Sequence, residues 1–432
     1  MADGKGFTDW FAIVVDEEQF WPGRLTFHPE AGISLETTNF CDFEAKGFFE
    51  AKHSNDSFFQ ADVIKGYLDY QRPTTLLKPF ISKVHSGSIG YLTPLIRNRY
   101  TVTINGILKN IHLDNLDDEI FLSIGGRSDA LRGWIVPKRI KNVYEPATKR
   151  RTLEYDEYNK FEIELLDGCS ISIVNMVSGP SDWDSMTLVG QTSFTLTFSN
   201  PIALDPALDL YNRFSNFLTF LIGDRLLRGV ILLATTKTTE WNDKENSIHA
   251  ELLVRSNKKF SESLDLPALR FLTQHDTSME LKEVLSKWQQ IDKDTNYFMA
   301  LIVSVEMGDN DTNVTNKYID LIGCLEKFDK NKFGGRKTLL QRLERLVQLY
   351  KDDNFRGDPD LEKIKEYRNY HPHGEGASVT LDIFKKMYWY SNFLCALGRY
   401  HILKEIGFSA NEISQAFRRQ ANVYGMFSML ED

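Results

Sequence analysis

Two rhythms of hydrophobic and polar residues divide the chain. Up to about Val254 the apolar residues come in short or alternating runs. Phe11 to Val15, Arg24 to Phe27 and Ile33 to Glu36 are such runs, separated by Trp21-Pro22-Gly23 and by His28-Pro29-Glu30-Ala31-Gly32, whose residues favour turns. Thr74 to Ile81, Tyr100 to Leu108, Ile120 to Ile124, Lys160 to Leu166, Ser170 to Val174 and Ser193 to Phe198 continue the pattern, and Val230 to Ala234 and Ala250 to Val254 close it. In the strand around Ser193 the side chains of Phe194, Leu196 and Phe198 share one face. Strands at this density, with one helix among them (Leu208 to Ile222, stopped by Gly223), predict an antiparallel sandwich or barrel.

After about Leu266 the period changes to 3.6. Met279 to Ile291, Tyr297 to Met307, Tyr318 to Phe328, Lys337 to Tyr350, Leu361 to Tyr370 and Leu381 to Ile406 each carry a helical stripe, and Ser414 to Leu430 could add another. Helices without strands predict a compact bundle. The polar stretch Ser256 to Ser263 reads as a linker. The expected architecture is therefore α+β: an antiparallel β-rich sandwich or barrel-like region over 1–260, then an all-α bundle over 266–432.

Composition adds little to this picture except through charge. The formal charge is −9 over 432 residues, which speaks against a protein that coats nucleic acid by bulk electrostatics. From Asn331 to Asp432 there are 16 Lys+Arg against 13 Asp+Glu, a formal +3 that leaves −12 on the remainder, so the carboxy-terminal quarter is the better candidate to meet RNA. No apolar run reaches the roughly 18 residues of a membrane helix, and the amino terminus lacks the order of a secretory signal. Cys41, Cys169, Cys324 and Cys395 stand far apart, without metal-ligand spacing, which fits a reducing cytoplasm. No metal or cofactor is expected.

Candidate chemistry gathers in Arg368-Asn369-Tyr370-His371-Pro372-His373-Gly374. Pro372 cannot continue a helix and biases His371 out of helical geometry, so the helix from Leu361 should end near Tyr370. Gly374 and Gly376 let the chain turn, and Ser378 or Thr380 can cap the next helix. On an unbroken helix residues five apart point about 140° away from each other; the break is what lets Arg368 and His373 converge. Such a set suits phosphodiester cleavage. Histidine titrates near neutrality and moves a proton, arginine stabilises charge growing on a phosphate, and asparagine orients a hydroxyl, a phosphate oxygen or the imidazole. RNA brings its own nucleophile, the 2′-OH. Arg-x4-His alone is a weak signal; Asn369 beside the arginine and the surrounding bundle strengthen it.

The bundle with Arg-Asn-x3-His resembles a HEPN ribonuclease domain, and the chain as a whole resembles the ApeA family of abortive-infection proteins. Looser agreement comes from the stretch Gly23 to Glu36, from Leu131-Arg132-Gly133-Trp134-Ile135 and from Leu285-Ser286-Lys287-Trp288. The resemblance implies a metal-independent ribonuclease that works as a homodimer with a composite site. It implies defence against phage by cutting host RNA, with the tRNA anticodon loop as target and a phage-derived trigger. Carried over, Arg368, Asn369 and His373 are the catalytic positions. His371 is an extra histidine that could share the role of His373, and Glu306 could orient the histidine or the arginine. The acidic front then reads as sensor or restraint. A different class stays open: a non-catalytic dimerisation module whose β region binds a protein or glycan.

Other chemistries lack support. Gly125-Gly126-Arg127-Ser128 and Gly334-Gly335-Arg336-Lys337-Thr338 are glycine-rich, but neither completes a phosphate-loop pattern. Arg418-Arg419 reads as surface, and Tyr388-Trp389-Tyr390 as core or interface packing rather than base stacking.

Overall fold

The computed structural model describes residues 6–14, 20–29, 31–42, 62–69, 71–89, 95–127, 141–145, 150–154, 158–165, 168–178, 189–223, 230–241, 244–254, 271–272, 276–306, 314–353, 355, 359–369 and 380–424. The fold is α+β, as expected. Its front is built from β1 (Phe7–Val14), β2 (Phe20–His28), β3 (Gly32–Asp42), β4 (Val63–Leu68), β5 (Arg72–Leu77), β6 (Phe80–Ile89), β7 (Leu95–Ile104) and β8 (Gly106–Lys109). There follow β9 (Phe121–Arg127), β10 (Lys141–Glu145), β11 (Arg150–Glu154), β12 (Tyr158–Glu164), β13 (Cys169–Ser178), β14 (Val189–Ile202), β15 (Ile231–Trp241) and β16 (Lys244–Val254). Fourteen of these strands form one hydrogen-bonded sheet in the order β12-β13-β14-β9-β15-β16-β8-β5-β4-β1-β2-β3-β7-β6, while β10 and β11 pair separately.

A sheet of that width has to curl, and the chain shows where. The single residue Asn105 joins β7 to β8, although five strands separate them in the sheet order. Lys78-Pro79 likewise joins β5 to β6 at the far edge. The apolar runs Thr74 to Ile81 and Tyr100 to Leu108 are thus each one stretch bent at a corner, where Lys78 takes a left-handed φ of 46°. The curl closes around a core of Phe11, Ile13, Leu25, Leu35, Ile64, Tyr100, Val102, Ile107 and Leu253. Gly66 in β4 lies so close to the ring of Phe11 that a side chain there would collide with it. Trp21-Pro22-Gly23 belongs to β2 and is not a turn; β3 pairs with β2 only from Gly23 onward, so Pro22 sits where β2 is an edge.

The other half of the sheet carries a helix, α1 (Leu204–Ile222). Gly223 ends it in a left-handed conformation, as its sequence position suggests. Tyr211 and Phe214 of α1 pack on Phe194 of β14, with ring centroids 5.4 and 5.1 Å apart. Gly126 leaves room for the Tyr211 hydroxyl, so this glycine of the Gly-Gly-Arg stretch serves packing within β9.

The helical part comprises α2 (Leu281–Gln289), α3 (Lys293–Glu306), α4 (Val314–Phe333), α5 (Leu339–Asp352), α6 (Leu361–Asn369), α7 (Leu381–Ile406) and α8 (Ala410–Tyr424). The far side of α1 meets it: Phe214 and Phe217 pack on Trp288 of α2 at 5.7 and 5.0 Å. One hydrophobic core therefore runs from the sheet through α1 into the bundle. Within the bundle the second half of α7 is buried on nearly all sides, and its Gly398 admits the ring of Phe298 from α3. Gly334 and Gly335 form a left-handed turn after α4, with φ of 62° and 82°. Among the described residues no helix is long and apolar enough to cross a membrane.

Candidate active site

Local interactions fix α6, which carries Arg368 and Asn369. Asp360 caps its start by accepting from the Lys363 amide at 3.0 Å. Ile364 and Tyr367 are its buried face. The buried Tyr318 hydroxyl of α4 donates to the Ile364 carbonyl at 2.7 Å, which sets both the height and the rotation of the helix. Tyr367 meets Tyr390 of α7 with 6.1 Å between ring centroids.

Arg368 thus stands in the last turn of α6, where a cation also suits the helix dipole. Its side chain is 33 % exposed and its Nη2 lies 3.4 Å from Oε2 of Glu326 on α4, a loose pair open to water. Such pairs are worth little, so the guanidinium can exchange Glu326 for another anion at small cost. Asn369, the last residue of α6, is exposed. The chain from Tyr370 to Val379 lies outside the described residues, and with it His371, Pro372 and His373. On the far side of that segment Thr380 caps α7, its Oγ1 accepting from the Ile383 amide at 3.3 Å.

Arg368 also forms part of the wall of a cavity of about 300 Å³ between α3 and α4. Asp294, Tyr297 and Phe298 contribute from α3, and Ile319, Asp320, Gly323, Cys324 and Lys327 from α4. Lys327 holds Asp294 at 2.7 Å and keeps its carboxyl below the usual carboxylate range. Burial and the Asp320 carboxylate push the Tyr297 phenol up. Burial likewise raises the Cys324 thiol to about 11, which leaves it protonated and a poor nucleophile at neutral pH. Nothing in the spacing of the sequence singles these residues out, because each is an ordinary member of its own helix.

Glu306 sits apart from this group. It bonds the guanidinium of Arg399 from α7, which is fully buried. Burial raises the Glu306 carboxyl and the Arg399 cation draws it back. Arg399 also donates to the Phe220 carbonyl of α1 and lies over the rings of Phe220 and Phe271, at 4.7 and 4.5 Å. A second buried charge, Asp329, is clamped by Arg342 at 2.9 Å and by Arg345 at 2.5 Å. Among the described residues no group of three or more His, Cys, Asp or Glu side chains is placed to hold a metal ion. The exposed Tyr388 and Trp389 and the half-buried Tyr390 lie on the first half of α7, and Arg418 is exposed on α8.

Comparison with known families gives two matches. Residues 9–288 match the ApeA N-terminal domain 1, and residues 306–412 match the Apea-like HEPN domain. The chain belongs to the ApeA family. Its Arg-Asn-x3-His segment falls inside the HEPN match, which also spans α4 to α7 and the start of α8. The ApeA domain match takes in the sheet from the third residue of β1 onward, α1 and most of α2. No curated protein and no solved structure matches the chain. An ApeA-like HEPN domain fits a nuclease of abortive infection.

Proposed function

We propose that this ApeA-family chain is an endoribonuclease that cuts host RNA during phage infection, without a metal, through Arg368, Asn369 and His373. The observation that carries the reading is the placement of Arg368. It stands at the end of a firmly held helix, loosely paired, in the wall of a cavity and within the HEPN match. In the reaction, the 2′-oxygen of the RNA attacks the neighbouring phosphorus and the 5′-oxygen leaves. A cyclic 2′,3′-phosphate and a free 5′-OH result. Arg368 stabilises the charge growing on the phosphate oxygens, His373 takes the 2′-OH proton or returns one to the leaving oxygen, and Asn369 orients. His371 is the alternative carrier of that proton.

A second copy of the chain completes the site in this reading. The exposed Leu381, Phe384 and Tyr388 lie at three- and four-residue steps on the first two turns of α7, immediately after the motif segment. Large apolar groups so arranged on an open helix face suit a partner of the same kind. The expected RNA is tRNA, cut in the anticodon loop, with a phage product as trigger.

The test is sequencing of 5′-OH RNA ends in infected cells that express the wild type, Arg368→Ala or His373→Ala. New ends confined to the wild type support the reading. Equal profiles for all three, with folded protein, would leave a non-catalytic dimerisation module instead.

A further inference from the structure

The cavity beside Arg368 has features that packing does not require. Gly323 lies mid-way along α4 and lines it, yet a Cβ at that position would meet nothing within 4 Å. A glycine inside a helix costs about 1 kcal/mol relative to alanine, and no close contact here calls for one. What it provides is open space. Tyr297 lines the same space, 59 % exposed although it projects from a helix whose neighbours Phe298 and Met299 are core. Asp320 lines the same wall and has no hydrogen-bonding partner among the described residues, whereas Asp294 is committed to Lys327 and Asn331.

We propose that this recess is a subsite for one nucleobase of the RNA, adjoining the phosphate held by Arg368, with the base stacked on Tyr297 and its amino group donating to Asp320. The inference rests on the ribonuclease reading and adds base preference to it. At about 300 Å³ the space sits at the small end of ligand pockets, which suits one base and no folded element. An aromatic face accepts any base. The carboxylate then discriminates: guanine offers N1–H and the N2 amino group side by side to its two oxygens, adenine and cytosine offer one amino group, and uracil offers no amino group. Guanine is therefore the preferred occupant and uracil the poorest.

The experiment uses the full chain with fluorescein-labelled, fully 2′-O-methylated oligoribonucleotides, which cannot be cut through the 2′-oxygen, and reads the Kd by anisotropy. The expected result is tighter binding of guanine-containing than of all-uracil oligomers. Tyr297→Ala should weaken binding tenfold or more, with recovery in Tyr297→Phe. Asp320→Asn should erase the guanine preference while retaining most of the affinity. Both side chains are exposed, so these variants should fold. The proposal is overturned if the wild type shows no base preference, binds none of the oligomers, or is matched by Tyr297→Ala and Asp320→Asn. Cleavage of unmodified RNA, measured beside it, separates the two readings. Arg368-dependent cutting with indifferent recess variants removes the subsite alone, and base-selective binding without any cutting removes the ribonuclease alone.

Discussion

Arg368 and Arg399 carry the same guanidinium into opposite surroundings, and their substitutions should separate accordingly. Arg368 is one-third exposed and loosely paired, so Arg368→Ala should move unfolding free energy by no more than about 0.5 kcal/mol while abolishing RNA cleavage; urea titration and a cleavage assay check both halves. Arg399 is wholly buried against Glu306, Phe220 and Phe271. Arg399→Met should cost roughly 3 kcal/mol, the usual loss when one half of a buried pair is removed, and adding Glu306→Met should recover part of it. That pairing was not legible in the sequence, because residues 93 positions apart on different helices share no local pattern. His401 gives a pH signature. Burial holds its imidazole at about 4, and its Nε2 donates to the Leu346 carbonyl at 3.0 Å. The unfolded chain, titrating near 6.5, takes up the proton first. Stability is therefore full above about pH 6.5 and falls as the pH drops towards 4, by about 2 kcal/mol between pH 7 and 5. In His401→Gln the urea midpoint should fall less over that interval.

Helices were legible where their stripe and their caps agree. Thr338 with Gln341 forms a capping box at the start of α5. Ser409 with Glu412 does the same before α8, with the Glu412 carboxylate accepting from the Ser409 amide at 2.7 Å. That Ser-x-x-Glu signal marks a start at Ala410, whereas periodicity alone placed it at Ser414. The candidate site is less legible. Its motif can be seen in the sequence, but the cavity next to it arises only when α3 and α4 lie together. Tyr318 ties these facts to function through α6. Tyr318→Phe removes one buried hydrogen bond, worth about 1 kcal/mol. Amide exchange over residues 365–369 should quicken, and cleavage should slow because Arg368 is less firmly presented.

At the scale of the molecule, alternation revealed strands but not their closure. Strands β4, β10 and β11 carry no marked pattern, and the bends at Lys78-Pro79 and Asn105 look in the sequence like continuous strands. The boundary expected between 260 and 266 lies outside the described residues, yet the contacts on either side of it are plain. Helix α1, from the front part, supplies the rings packed on Trp288 and the Phe220 carbonyl that Arg399 bonds. A fragment of residues 266–432 should consequently lack native packing, with weak near-UV circular dichroism and aggregation, while the full chain shows neither. If the acidic front restrains cleavage, surface charge substitutions there, made in the full chain, should raise it.

The same helix limits how such proteins can be recombined. A β-rich front grafted from another chain would bring its own α1 to a bundle shaped for this one, and the Phe214, Phe217 and Phe220 contacts would have to be matched or rebuilt. Exchange of front halves would succeed most readily when the seam falls ahead of Leu204 and again after Ile222, so that α1 travels with the bundle it braces.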